Sequence, residues 1–197
     1  MIQKPASRQP IPDDAKRVFT GKLFDVYQWE QRLFDGSTAT FEKLRRPDTA
    51  YILPITEEGR LLIVRQEQPG ARQAFGLIGG RVEPGESPDE AARRELAEEA
   101  GLVAADLDLW DAYQFLPKIE WAIYTFVARR CTSVQQSLDA GEKLEIVDLT
   151  FDELVNLAGS ERFGDVEVAL RLLRLAADPA KLAQARSFVV GSQLTQN

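Results

Sequence analysis

The chain has 197 residues, enough for one domain with a sizeable core and a small appendage. Apolar residues make up 44% and charged residues 28%, an ordinary balance for a globular protein, and no run approaches the ~20 apolar residues of a membrane-spanning helix. The net charge of -7 argues against a nucleic-acid surface, and one cysteine with no histidine excludes a disulfide framework and the usual zinc and Cys–His sites.

Residues 1–17 are polar and rich in proline, lack the apolar stretch of a signal peptide, and are expected to form a flexible leader. The lone Cys131 suits a reducing cytoplasm. Residues 18–46 read as two or three strands, with Asp35-Gly36 as a hairpin signal between alternating apolar positions. This stretch is too short to bury a core alone and must pack on another surface. TAYILPI at 49–55 reads as a buried strand, residues 57–59 as a turn, and RLLIVRQ at 60–66 as the neighbouring strand. The loop over 68–86 is rich in glycine and proline, as backbone wrapped around a site would be.

A helix follows over Pro88–Ala100. Ser87 is a good N-cap, Pro88 fits the first helical position, Glu90 completes a capping box, and Gly101 suits a left-handed C-cap. Residues 109–115 and 120–130 read as strands separated by a break at 116–118, and 144–151 as a further strand. Helices are expected over Phe151–Ala158 and across 165–176, where Val168, Leu172 and Leu175 recur at helical spacing. The irregular alternation of strands and helices favours an α/β fold with a mixed sheet between helical layers.

Chemistry concentrates on the first helix. Glu95, Glu98 and Glu99 stand at i, i+3 and i+4 and share one face, where like charges repel unless a cation offsets them. Ala92, Leu96 and Ala100 form the apolar stripe that would hold this acidic face at the rim of a packed core. Carboxylate oxygens are hard ligands suited to Mg²⁺ or Mn²⁺. With no histidine available, a general base must come from a carboxylate, a lysine or a tyrosine.

Gly80, Glu86, Arg94, Glu95, Leu96, Glu98, Glu99, Gly101 and Leu102 together fill every specified position of the Nudix box. A chance match in a chain of this length is on the order of one in ten million. The chain therefore resembles the Nudix hydrolase family, with the box over 80–102 and fainter likeness over most of the remainder. The resemblance implies an α/β/α sandwich with a mixed sheet, preceded by a small antiparallel β region at 18–46, the hydrolase domain occupying 47–197. It also implies Mg²⁺ held by Glu95, Glu98 and Glu99, with the Gly79 carbonyl as a further ligand and Mn²⁺ as a substitute. Glu86 and Arg94 would form an ion pair orienting the helix and its loop.

Within the family the chain most resembles ADP-ribose pyrophosphatases and related nucleoside-diphosphate-sugar hydrolases. Pro117 lies sixteen residues after Gly101, a spacing that resembles the mark of that group. RLFDG and EKLRRPD resemble its N-terminal strands, which pack across a homodimer, and GEKLEIVDLTFDEL resembles its acidic loop, strand and short helix. The likeness implies Mg²⁺-dependent hydrolysis of ADP-ribose or a similar compound to a nucleoside monophosphate and a sugar phosphate. Glu142 would be the general base, with Glu145 as the alternative. Arg65, Glu120, Pro117 and Trp29 would contact substrate, against plainer roles as an ion pair for Arg65 and as core for Trp29. Ile78 stands where that group has proline and Gly76 where many members have glutamate, and the loop after Pro117 lacks the usual glycines. Two other activities are compatible with the box: removal of damaged nucleoside triphosphates, and non-catalytic sensing of an ADP-ribose-like ligand.

Overall fold

The structure, a computed structural model, describes residues 2–67, 69–70, 72–138 and 143–191. Its centre is a mixed sheet in the order β7 (Ile78–Arg81), β4 (Thr49–Pro54), β10 (Ala122–Ser133) and β8 (Leu102–Gln114). β10 runs parallel to β4, pairing Tyr124 with Ala50 and Phe126 with Ile52, and antiparallel to β8. All six residues of β4 and the first seven of β10 are buried, as near-continuous apolar strands are when both faces are covered.

Side-chain alternation divides that burial into two cores. Ala50, Ile52, Tyr124 and Phe126 pack with Ala91, Ala92 and Leu96 of α1 (Pro88–Ala100). The intervening Tyr51, Leu53, Ile123 and Val127 pack with Leu154 of α2 (Phe151–Ala158), Val168 and Leu172 of α3 (Val166–Ala176), and Val189 of α4 (Pro179–Val190). A sheet between helical layers is the α/β/α sandwich expected from the sequence. A second sheet, in the order β11 (Lys143–Leu149), β5 (Leu61–Glu67) and β6 (Ala74–Gly76), adds Ile63 to the α2–α3 core and Val64 to the α1 core.

The N-terminal strands β1 (Lys16–Thr20), β2 (Asp25–Arg32) and β3 (Thr38–Arg45) form an antiparallel sheet that gains β9 (Ile119–Glu120) in parallel at its edge. The hairpin between β2 and β3 turns at Asp35, which accepts from the Ser37 N–H at 3.0 Å. Residues 2–15, within the stretch expected to be a flexible leader, make contacts with the domain. Lys4 pairs with Asp48 at 2.8 Å, and the Gln9 carbonyl accepts from Lys43 Nζ at 2.6 Å. Composition hid this docking, because its anchors are single polar contacts and one apolar residue, Ile2, packed against the α1 core, and not a periodic apolar face.

Other departures have local causes. The loop expected at 68–86 contains β6 and β7, short strands that their glycines disguise. β8 begins at Leu102, directly after the helix cap, because the exposed side of a sheet tolerates the polar Asp106 and Asp108. α4 had no amphipathic signal to announce it, and only Ala185 and Val189 are buried on it.

Candidate active site

The first turn of α1 is fixed as its sequence requires. The Ser87 N–H donates to Glu90 Oε2 at 2.8 Å, and Gly101 closes the helix at φ 62°, its N–H reaching the Ala97 and Leu96 carbonyls. Leu96, fully buried beneath the helix, anchors the face that carries Glu95, Glu98 and Glu99. Full burial of such a side chain contributes about 2 kcal/mol.

Arg94 organises the acidic cluster. Its Nε donates to Glu86 Oε1 at 3.0 Å and its Nη2 to Glu86 Oε2 at 3.1 Å, an ion pair, as the resemblance implies, with forked geometry. Nη1 lies between two further carboxylates, 2.8 Å from Glu95 and 3.1 Å from Glu98, and Nη2 also reaches the Arg81 carbonyl at 2.9 Å. The hydrogen bond from Arg94 holds the Glu86 carboxyl below its usual range, and the same bonds make Arg94 harder to deprotonate. Glu99 accepts from the Gly79 N–H at 2.9 Å, tying α1 to β7.

Two glycines make this approach of helix and strand feasible. A Cβ at Gly80 would lie 2.2 Å from Glu95 Oε1, and one at Gly79, where φ is 146°, would lie 2.2 Å from the Ala50 carbonyl oxygen. Gly79, Gly80, Arg81, Glu95, Glu98 and Glu99 thus line a cleft of about 280 Å³. Its donors are carboxylate and carbonyl oxygens, and a guanidinium nitrogen already sits as a shared cation between Glu95 and Glu98. That set fits a hard divalent cation and not a soft one. Among the described residues no group of three carboxylates converges on a single point; Arg94 Nη1 bridges Glu95 and Glu98, and Glu99 is turned to the Gly79 N–H.

A second hollow, of about 200 Å³, opens from the same glycines and shares Gln66, Arg81 and Glu99 with the first. Its wall carries Arg46, whose guanidinium lies 4.1 Å from the centre of the Trp121 ring. Arg46 Nε is buried without a hydrogen-bond partner among the described residues, and desolvation lowers the Arg46 pKa. Opposite stands an acidic group on α3 and the residue before it. Tyr51 donates its hydroxyl to Glu167 at 2.6 Å, and Asp165 Oδ2 accepts from the Leu77 N–H at 2.7 Å. Burial, with the Glu167 charge nearby, pushes the Asp165 carboxyl up to about 7. Burial first, then Asp165 and Glu167, also raises the Tyr51 pKa.

The residues expected to touch substrate are dispersed. Arg65 is ion-paired with Glu145 across β5 and β11, the structural alternative raised by the sequence. Glu120 accepts from Lys43 Nζ at 2.7 Å, a lysine only 1% exposed, and from Gln114 Nε2 at 3.3 Å. Trp29 is 7% exposed and packs on Phe41 at a centroid distance of 6.1 Å, a core position within the N-terminal sheet. Pro117 borders a different pocket together with Tyr113 and Arg171. Glu142, the expected general base, lies outside the described residues. Sequence reasoning missed Arg46, Arg81, Tyr51, Asp165 and Glu167. Arg46 was legible only as half of an arginine pair, and Tyr51 was hidden in a run of core residues.

A model of the Nudix domain matches residues 45–171, which takes in the cleft, the hollow beside it and α1 whole. ADP-ribose pyrophosphatase from Bacillus subtilis is 28% identical over 173 residues, spanning 86% of this chain and 94% of that protein. ADP compounds hydrolase NudE from Escherichia coli is 30% identical over 134 residues, 66% of this chain and 68% of its own. A crystal structure of an ADP compounds hydrolase superposes with a TM-score of 0.69 at 26% identity, covering 94% of this chain and 98% of that one.

Proposed function

The chain belongs to the Nudix family of hydrolases, and on that premise we propose that it hydrolyses the pyrophosphate bond of a nucleoside diphosphate linked to a sugar, ADP-ribose first. The products would be a nucleoside monophosphate and a sugar phosphate. The observation that carries this reading is the meeting of two opposite charge sets at Gly79-Gly80: the α1 carboxylates on one side, Arg46 and Arg81 on the other. A diphosphate needs both, a cation-bearing acidic face and fixed positive groups for its remaining oxygens. The similarity to an ADP-ribose pyrophosphatase over most of both chains supports a sugar-linked diphosphate.

Glu95, Glu98 and Glu99, with the Gly79 carbonyl, would hold Mg²⁺, and Mn²⁺ in its place. When bound, the ion supplies charge neutralisation and a more acidic water. The remaining roles belong to the chain. Arg46, braced on Trp121 and with an unsatisfied buried Nε, binds a phosphate oxygen in the hollow. Arg94 and Glu86 hold the α1 carboxylates in register with Gly80. Glu142 takes the proton of the attacking water. The exposed Val18 and Phe19 of β1 and Phe34 of the β2–β3 turn would be covered by a second copy, making the working form a homodimer.

The test is a substrate panel with Mg²⁺: ADP-ribose, several sugar nucleotides, dinucleotide cofactors and the nucleoside triphosphates. Preference for ADP-ribose or a sugar nucleotide, with a higher KM in Arg46→Gln, is the expected result. Preference for a triphosphate would reject the assignment, and tight ADP-ribose binding without turnover would make the protein a sensor.

A further inference from the structure

Glu167 lines a second pocket of about 380 Å³ in which none of the α1 carboxylates takes part. One wall comes from the end of β8 and the turn after it, with Tyr113, Phe115 and Pro117. The opposite wall is α3, which presents Arg171 and Arg174 at i and i+3 on one face. Arg8 reaches the rim from the docked N-terminal segment. The volume lies within the range of small-molecule sites, and the lining mixes apolar rings with a few charged groups, as such sites do.

The wall is fixed before any ligand arrives. Arg171 donates to Asp111 Oδ2 through Nε at 2.8 Å and Nη2 at 2.6 Å, and lies 4.7 Å from the centre of the Tyr113 ring. The Tyr113 hydroxyl donates to the Glu167 carbonyl at 3.0 Å. Arg8 and Arg174 differ from Arg171 in having no carboxylate partner among the described residues, in a chain with 31 acidic side chains. The one carboxylate in the lining, Glu167, is engaged by the Tyr51 hydroxyl. Two unpaired guanidinium groups beside a rigid aromatic wall describe a receptor for an anion attached to a carbon framework.

We propose that this pocket binds a phosphate monoester, its phosphate on Arg8 and Arg174 and its sugar or base against Tyr113, Phe115 and Pro117. The site is separate from the acidic cleft and needs no divalent ion. Phosphate monoesters reach it from two sources: as the distal end of a substrate carrying an extra phosphate, or as free product or effector.

Titration calorimetry with ribose 5-phosphate and adenosine monophosphate, in EDTA, tests the assignment without any turnover, so its failure is distinct from failure of the hydrolytic reading. Saturable binding is expected for the wild type. It should weaken roughly tenfold in Arg174→Gln and in Arg8→Gln, the size of one charge-assisted hydrogen bond, and stay unchanged in Glu98→Gln. Inorganic phosphate should bind more weakly than either ester because it leaves the aromatic wall bare. No saturable binding at millimolar ligand, or wild-type affinity retained in both arginine variants, would overturn the proposal. Hydrolysis assays separate the two sources. A KM raised in Arg174→Gln only for a substrate with an additional phosphate identifies a substrate limb, whereas relief of product inhibition at unchanged KM identifies free monoester.

Discussion

Replacing Gly80 by alanine separates the folding of this site from its chemistry. The new Cβ would stand 2.2 Å from Glu95 Oε1 and 2.6 Å from its Cδ, with no backbone atom among its nearest neighbours. The obstacle is the tip of a flexible side chain, so the fold can relieve it by moving the Glu95 carboxylate. Reaching ordinary contact at 3.4 Å requires a retreat of about 1.2 Å, taking Oε1 away from Arg94 Nη1 and from the cleft. A misplacement of about 1 Å in a catalytic group lowers turnover by roughly a hundredfold, or about 3 kcal/mol in the barrier, while stability should change by no more than about 1 kcal/mol. Gly79→Ala is the counterpart. There the Cβ meets the Ala50 carbonyl oxygen at 2.2 Å and Tyr51 Cα at 2.9 Å, and φ is 146°, so central-sheet backbone must move, at a cost of about 3 kcal/mol or more. Thermal unfolding and steady-state hydrolysis of both variants measure the two effects. Gly80→Ala turning over at the wild-type rate, or unfolding as early as Gly79→Ala, would refute the reasoning.

The remaining predictions address charge. Glu98→Gln keeps side-chain volume and helix propensity, so it should leave the melting temperature within a few degrees of the wild type while lowering kcat at least tenfold; an unchanged kcat would remove Glu98 from the site. Glu120→Ala should destabilise the protein by about 3–5 kcal/mol in denaturant titration, since it strands the buried Lys43 ammonium, and a loss below about 1 kcal/mol would show that water reaches Lys43. Asp165, raised from an ordinary 3.8 to about 7 by burial, holds a proton in the folded state that the unfolded chain has already lost. Its contribution to stability is therefore complete below pH 4 and falls as the pH rises towards 7. Melting temperatures over that range should show Asp165→Asn gaining on the wild type as the pH increases, and a constant difference would place Asp165 in water.

The acidic helix was readable because its signals are local. Ser87, Pro88, Glu90 and Gly101 act within one turn of the ends they cap, and Glu95, Glu98 and Glu99 share a face by helical geometry alone. The ion pair of Glu86 with Arg94 spans only eight residues and is bounded by the same helix. The residues of the hollow beside it obey no such rule. Arg46, Trp121 and Asp165 come from three separate segments and meet only because β4 and β10 pair in parallel and α3 packs behind them. Glu120 shows the opposite error, a residue next to the expected pocket in sequence whose side chain turns to a lysine 77 positions away. Short strands such as β6 were illegible for a related reason, since their partners on β5 and not their own composition make them strands.

The position of Arg94 also explains how so acidic a face can be stable. Three glutamates within five residues repel one another, and on an isolated helix each pair would cost a few tenths of a kcal/mol. One guanidinium offsets much of this by bonding Glu86, Glu95 and Glu98 together, and the Gly79 N–H does the same for Glu99. The carboxylates are therefore held in place by the chain itself. The arrangement also sets the direction of change: if Glu95 and Glu98 hold a divalent ion as proposed, Arg94 Nη1 would give way to it while the guanidinium stays anchored on Glu86 through Nε and Nη2. Arg94→Lys would keep the charge and lose the fork, so it should weaken the ordering of Glu95 and Glu98 more than the pairing with Glu86.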